Sequence, residues 1–480
     1  MEKSKITRNL SMLTDYYQLT MANGYFLDGT DQRTAIFDVF FRETSVFTYA
    51  IAAGLEQAVD YLKNLHFEED DIAYLRAQNE FDERFLEHLK TFKFKGDVYA
   101  LPEGTVVFPM EPIMTVKAPL EQAQIVETAL LTIINHQTLI ATKAARVKEV
   151  AGNTSVLEFG LRRAQGPDAG IYGARAAVLA GCDATSNVLA AKEFDIPCKG
   201  THSHSWVMSF PDEITAFRTY ANLYPNNCLL LVDTYDTLKS GVPNAIKVFK
   251  EMRAKGFEPS GIRLDSGDLS YLSKKARQML DEAGFPNAKI CVSSDLDEYL
   301  IQSLLLQGAK IDIWGVGTKL ITSYDMPALG GVYKMGALIE DGVEVPKIKI
   351  SNNVKKITNP GYKTVYRIYD KDTGKALADL IGLRGEQFPE DEITIFHPIN
   401  TWKKTTLNNY VIKDLHVKVM ENGEVVYKFP TLKESAKYCK EQKETFWEEY
   451  RRLENPQTYK VDLSEKLFNL KTKMLHDLGV

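Results

Sequence analysis

The runs CLLLVDT (228–234), GIRLDS (261–266), KICVSSD (289–295) and IDIWGVGT (311–318) decide the fold of this 480-residue chain. Each is a short, mainly apolar stretch that stops abruptly at a Gly, Ser, Thr or Asp. Unbroken rather than alternating apolar residues mark strands covered on both faces, as in a parallel sheet. Upstream, VLEFGLRR (156–163), CDATSN (182–187) and IPCKGTHSH (196–204) have the same character. Helical patterns lie between the runs, at 174–180, 212–222, 242–255, 269–282 and 297–307. Six or seven strand–helix units of this kind fit a closed or nearly closed (β/α) barrel better than an open doubly wound sheet. No G-x-G-x-x-G follows the first strand, which argues against a dinucleotide fold.

The flanks differ from this middle. One strand is expected at Ala35–Phe41, and a helix after Leu13-Thr14-Asp15, with Thr14 or Asp15 as its cap. The acids of FEEDD (67–71) suit the first turn of another helix. From Phe92 to Val116 short apolar runs alternate with Pro102, Pro109 and Pro112, which reads as a small β module with prolines at edges and turns. A long helix is expected from Glu121 to Val150. Past Gly330 the strand–helix units end. Hairpins are expected across Lys371-Asp372-Thr373-Gly374 and across Asn422-Gly423, the second a type I′ signal joining 415–421 to 424–429. The amphipathic stretch from Thr431 to Leu453 reads as a helical face packed on the core. The fold class that follows is α/β: a (β/α) barrel-like central domain at 136–345, an N-terminal mixed α+β domain at 1–135 and a C-terminal α+β domain at 346–480.

Composition narrows the partners. The chain is 44% hydrophobic and 25% charged, with a net charge of −6 that is not gathered into blocks. It has no basic arm for nucleic acid. No apolar run approaches the ~20 residues of a membrane span, and the N-terminal residues lack the apolar core of a signal peptide. The five cysteines form no CxxC pair and sit mostly in apolar runs, which favours a reducing, cytoplasmic setting.

In a barrel of this type the working residues gather at the C-terminal ends of the strands. Those ends carry Arg162-Arg163, His202 and His204, Asp233-Thr234-Asp236, Arg263 with Asp265-Ser266-Gly267-Asp268, Ser293-Ser294-Asp295, and Gly315-Val316-Gly317-Thr318. Cations, carboxylates and hydroxyls on one rim suit a phosphate-bearing, polyhydroxylated substrate. Gly315 and Gly317 would let successive backbone N–H groups face an anion, with Thr318 adding a hydroxyl. Arg162 offers a planar fork for a carboxylate or phosphate. Asp265 and Asp268 would meet ribose hydroxyls or the waters of Mg²⁺, although Asp268 also stands where a helix cap belongs. His202 and His204 admit three readings: metal ligands on one face of an extended segment, packed structural histidines, or one nucleophile or base with a neighbour.

Taken together, these stretches resemble the nicotinate phosphoribosyltransferase family. The resemblance is carried by LTDYYQLTMANGYF near the start and by GDVYALPEGTVVFPMEPIMTV in the β module. EFGLRRAQGPDAGIYGARAAVLAGCDATSN, GTHSHSW, LLLVDTYDT, GIRLDSGDL and IWGVGTKL extend it through the middle. It implies condensation of nicotinate with phosphoribosyl pyrophosphate to give nicotinate mononucleotide and pyrophosphate, with ATP as co-substrate, Mg²⁺ as cofactor, and a homodimer. In the family's Gly-Thr-x-x-His motif the final histidine is phosphorylated by ATP, which implies that His204 is the acceptor and leaves His202 at a variable position. Tyr17, Gly200, Thr201, Ser205, Arg162 and Arg263 fall on the nicotinate side. Ser293, Ser294, Gly315, Gly317 and Thr318 fall on the phosphoribosyl side, and Asp265 stands beside Arg263 in the catalytic group, with Asp265 and Asp268 reaching Mg²⁺ through water. Two other functions remain open on these residues: a transferase that prefers nicotinamide, and a barrel that binds a nucleotide or phosphosugar without turnover.

Overall fold

The computed structural model describes residues 8–479. They fall into two compact units, one of Lys143–Pro327 and one that combines the residues before it, up to Thr142, with those from Ala328 onward.

The first unit is built on a six-stranded, all-parallel sheet. Its strands are β1 (Ser155–Glu158), β2 (Ala184–Thr185), β3 (Leu229–Leu231), β4 (Gly261–Leu264), β5 (Lys289–Ser293) and β6 (Ile313–Val316). The spatial order is β2-β1-β6-β5-β4-β3, so the first strand pairs with the last and the chain order runs round a ring broken once, between β2 and β3. Val156, Leu230, Ile262, Leu264, Ile290, Val292, Trp314 and Val316 are fully buried, as strands covered on both faces require. The IPCKGTHSH run departs from expectation. It adds no strand, only a single parallel bridge from Cys198 to Thr185, and then enters the short helix His204–Met208. At the break in the ring, the Leu231 N–H donates to His202 Nε2 at 3.2 Å. A side chain there takes the backbone donor that a further strand would have taken.

The second unit is organised by two sheets. The larger has seven strands in the order Val343–Pro346, Gly331–Glu340, Thr34–Phe41, Met114–Pro119, Asp97–Ala100, Val417–Glu421 and Glu424–Val425. It is woven from four separate stretches of the sequence. The expected strand at 35–41 lies inside it, third of the seven, paired antiparallel on both sides. The Asn422-Gly423 turn forms with φ of 50° and 82°, but the strand after it ends at Val425 rather than Phe429. Gly423 is required here, because a Cβ would lie 2.3 Å from the Phe94 carbonyl oxygen. The smaller sheet contains the other expected hairpin, Lys363–Asp370 with Ala376–Leu383. Its loop is fixed by Asp370 Oδ1, which accepts from the N–H groups of Asp372 and Thr373 and from the Thr373 hydroxyl.

The expected helix at 121–150 is divided into Leu120–Ile125 and Glu127–Ala151. The division falls where the Thr14 hydroxyl takes the Ile125 carbonyl, at 3.2 Å. Asp15 stands at the N-cap of Tyr16–Asp28, yet its carboxylate accepts from the Thr128 hydroxyl at 2.9 Å instead of capping. A tertiary partner outcompetes the local one. Glu68 and Asp71 form a capping box at Glu69–Ala77, as the acids of 67–71 suggested. Among the described residues no helix is long and apolar enough to cross a membrane.

Candidate active site

The strand ends of the first unit converge on Arg263. It lies on β4, one residue before the strand's end, with its side chain 16% exposed. Its Nε donates to Ser293 Oγ at 2.8 Å, one terminal nitrogen to Thr201 Oγ1 at 3.1 Å, and the other to Asp265 Oδ1 at 2.9 Å. Three of its five N–H groups are thus held, by Asp265 just after β4, by Ser293 at the end of β5 and by Thr201 in the segment before the helix His204–Met208. The guanidinium also lies 5.7 Å from the centroid of the Phe159 ring.

Asp265 joins this cation to a histidine. Its Oδ1 accepts from Arg263 and from the Ser293 hydroxyl, while Oδ2 lies 3.7 Å from His204 Nε2. Burial alone would raise the Asp265 pKa, but the bonds from Ser293 and Arg263 outweigh it and hold the carboxyl below its usual range. The other ring nitrogen, His204 Nδ1, lies 3.1 Å from Thr234 Oγ1. Asp233 braces the loop from behind: its Oδ2 accepts from the Asp265 N–H at 2.8 Å and from the Ser266 hydroxyl at 2.7 Å.

The two histidines separate completely. His202 is buried, with Tyr220 edge-on at 4.7 Å between ring centroids. Because Nε2 accepts from Leu231, the proton belongs on Nδ1, which faces the Ser203 carbonyl at 3.4 Å. Burial pushes its pKa down to about 4, so it is neutral near pH 7. His204 starts a helix and its side chain is 39% exposed. They do not share a face, and a two-histidine metal site is not formed.

The remaining expected residues are placed unevenly. Thr201 and Ser293 belong to the Arg263 cluster. The Ser205 hydroxyl pairs with the Ser203 hydroxyl, at 2.6 Å. Gly200 is exposed, and a Cβ there would meet nothing within 4 Å. Arg162 lies exposed in the 3₁₀ turn Leu161–Arg163. Tyr17 belongs to the second unit, on the exposed side of Tyr16–Asp28. Asp268 caps the helix Leu269–Glu282, accepting from the Tyr271 N–H at 2.9 Å.

Gly315 is required for a reason other than backbone freedom, and Gly317 sits in a tight contact. Neither has a positive φ. A Cβ on Gly315 would lie 2.7 Å from the Phe159 ring, and one on Gly317 3.2 Å from the Phe159 carbonyl oxygen. They admit Phe159, and Phe159 faces Arg263. Strain sits one strand away instead: Ser294 and Asp295 have φ of 137° and 37°, a departure that clusters at functional sites.

Sequence reading placed Asp233 and Thr234 on the rim without a role and passed over Phe159 and Glu158. Asp233, Thr234 and Phe159 touch the cluster directly. Glu158, fully buried at the end of β1, accepts from the Gly160 N–H at 2.5 Å and from the Thr185 hydroxyl at 2.6 Å. Its signal was a lone acid closing an apolar strand.

A parallel α/β unit whose strand ends carry interlocked Arg, Asp, His and hydroxyl groups has the architecture of an enzyme that works on small polar molecules. Family models give the class a narrower meaning. Residues 12–135 match the nicotinate phosphoribosyltransferase N-terminal domain, 154–357 the nicotinate phosphoribosyltransferase family, and 362–471 the C-terminal domain. The nicotinate phosphoribosyltransferase of Bacillus subtilis is 50% identical, over 98% of this chain and 96% of that protein. The one from Caenorhabditis elegans is 36% identical, over 97% and 93%. Among solved structures, human nicotinic acid phosphoribosyltransferase superposes with a TM-score of 0.85 at 30% identity, over 96% of this chain and 99% of that one. The chain belongs to the nicotinate phosphoribosyltransferase family.

Proposed function

We propose that this chain condenses nicotinate with phosphoribosyl pyrophosphate to nicotinate mononucleotide and pyrophosphate, and that it couples the reaction to ATP hydrolysis through a phosphohistidine at His204. The family relatives across nearly the whole length support the first part. The observation that carries the second is the chain of contacts Arg263–Asp265–His204, with Thr234 on the far side of the imidazole.

Nicotinate's ring nitrogen is already nucleophilic, so the reaction needs alignment and charge stabilisation more than a base. Arg263, held by Thr201, Ser293 and Asp265, presents a fixed cation for the ring's carboxylate, with Phe159 beside it as an apolar wall. Arg162, Tyr17, Gly200 and Ser205 complete the nicotinate side in this proposal. Ser294 and the Gly315-Val316-Gly317-Thr318 turn serve the phosphoribosyl side. In the ATP half-reaction, the His204 lone pair forms an N–P bond as the bond to ADP breaks, and water later releases phosphate. Asp265 and Thr234 orient the ring for that attack. The added negative charge beside Asp265 shifts affinity for substrates and products between two states of the site.

Mg²⁺ fits as a hydrated ion. Among the described residues no group of three side chains could cage a metal, whereas Asp233 Oδ1 is buried without a hydrogen-bond partner. Asp233 and Asp265 would hold its waters, while Asp268 is committed to its cap. Bound there, Mg²⁺ would neutralise diphosphate charge.

The rest of the proposal has separate supports. The cyclic strand order supports a (β/α) barrel left open beside His202. The three family-model matches, at 12–135, 154–357 and 362–471, support a division into N-terminal, central and C-terminal parts, which we set at 1–135, 136–345 and 346–480 although the central match runs on to residue 357. A homodimer is proposed from the family resemblance, and five unpaired cysteines support a cytoplasmic setting. The deciding experiment is His204→Ala. It should abolish ATP hydrolysis and ATP stimulation while slow, ATP-independent formation of nicotinate mononucleotide survives. Intact stimulation would refute the assignment.

A further inference from the structure

The turn after β5 and the segment after β6 are fastened together by charge. Lys319, directly after Thr318, places its Nζ 2.6 Å from Asp297 Oδ2. Asp297 follows the strained Ser294–Asp295 turn by two residues and caps Glu298–Leu306 through Oδ1, which accepts from the Leu300 N–H at 2.7 Å. The next residue, Glu298, is fully buried and takes Lys143 at 2.7 Å and Arg146 at 2.8 Å. Lys143 then reaches Asp325, back on the segment after β6, at 2.6 Å. Three cations and three carboxylates thus join the two segments at two points.

We propose that the Lys319–Asp297 pair is a positioning device, setting the gap between the Ser293–Asp295 turn and the Gly315–Thr318 turn so that together they grip the phosphoribosyl substrate. The inference rests on the reading of those turns as the phosphoribosyl side. Two features favour positioning over direct contact with substrate. Lys319 is already committed to a carboxylate at short range, and Asp297 is only 14% exposed. Burial opposes the charge on Asp297, yet the bond from Lys319, the Leu300 N–H and the charges of Lys319 and Lys143 together outweigh it and hold the carboxyl below its usual range. The strained φ values of Ser294 and Asp295 also need a neighbouring anchor to persist.

The test uses the two capping-compatible changes. Asp297→Asn keeps an oxygen for the Leu300 N–H, since Asn caps as well as Asp, and removes only the charge. Lys319→Met removes the other partner. Each should raise KM for phosphoribosyl pyrophosphate ~10-fold, as expected when a binding turn is displaced by a fraction of an ångström. The nicotinate KM and kcat should change less than ~2-fold, and the double variant should be no worse than either single one. Lys319→Arg should restore most of the affinity. If Lys319→Met weakens binding while Asp297→Asn does not, Lys319 contacts the phosphate itself and the proposal is overturned. An unchanged KM in both variants overturns it as well. Calorimetric Kd values for phosphoribosyl pyrophosphate follow the pair independently of turnover, so a wild-type protein that binds it without forming product would refute the reaction and not the pairing.

Discussion

Lys471 offers a quantitative test of the packing in the second unit. It sits on the helix Glu465–Asp477 and is 7% exposed. Its Nζ meets two uncharged oxygens, Asn359 Oδ1 at 2.9 Å and the Pro398 carbonyl at 3.4 Å. Burial pushes its pKa from 10.5 down to about 8. The sign follows directly. The folded pKa lies below the unfolded one, so the unfolded chain holds more protons and charged Lys471 costs stability at neutral pH. At about 1.36 kcal/mol per pKa unit, the cost is about 3 kcal/mol at pH 7. It falls to about 1.4 kcal/mol at pH 9.5, because the unfolded lysine is then losing its proton too. Lys471→Met keeps the aliphatic stem and removes the charge, but leaves two oxygens without a donor, at a cost of about 1–2 kcal/mol. The variant should therefore be more stable than wild type by about 1–2 kcal/mol at pH 7, and the gap should close by about 2 kcal/mol at pH 9.5. Urea unfolding at both pH values, followed by the signal of the second unit, measures this. A stability difference that stays constant between pH 7 and 9.5 would refute the reasoning.

Other outcomes are equally specific. Gly315→Ala would push the Phe159 ring out of its place beside Arg263, and should lower kcat/KM for nicotinate at least ~10-fold with Tm changed by only a few degrees; unchanged kinetics would show that Phe159 has room to yield. His202 and His416 have pKa values lowered to about 4 and about 3, by burial in the first place. The unfolded chain therefore binds protons that the folded one refuses, and unfolding free energy should fall as pH drops from 6.5 toward 4. A flat profile over that window would contradict both burials. With nicotinate and nicotinamide supplied side by side, the acid should be favoured at least ~10-fold, and Arg263→Lys, which loses the planar fork, should erode that preference.

Much of the first unit was legible because its signals are local. Mainly apolar runs such as LLLV and ICV announce buried parallel strands, and the abrupt polar residue after each marks the strand end where chemistry gathers. Arg263, Asp265, Thr201, Ser293 and His204 do come together there. What local signals could not supply was the reason behind each residue. The HSH pattern does not say which imidazole turns inward to meet Leu231. The GVGT turn suggested backbone freedom, whereas Gly315 makes space for the ring of Phe159, 156 positions earlier. The second unit was least legible. The pairing of Thr34–Phe41 with Gly331–Glu340, or of Asp97–Ala100 with Val417–Glu421, depends on partners hundreds of residues apart, and such pairing leaves no mark in the periodicity of either strand.

That woven sheet governs the order in which a growing polypeptide can become complete. Thr34–Phe41 is made early, but one of its two neighbours, Gly331–Glu340, emerges about 290 residues later. At ~5–20 residues per second, the ribosome leaves that edge waiting on the order of 15–60 s. The Lys143–Pro327 unit contains all six strands of its own sheet and has no such wait. During that interval the nascent chain carries an apolar strand, seven of whose eight residues are buried in the finished protein, with one edge unpaired. That is the stage at which a chaperone has most to protect.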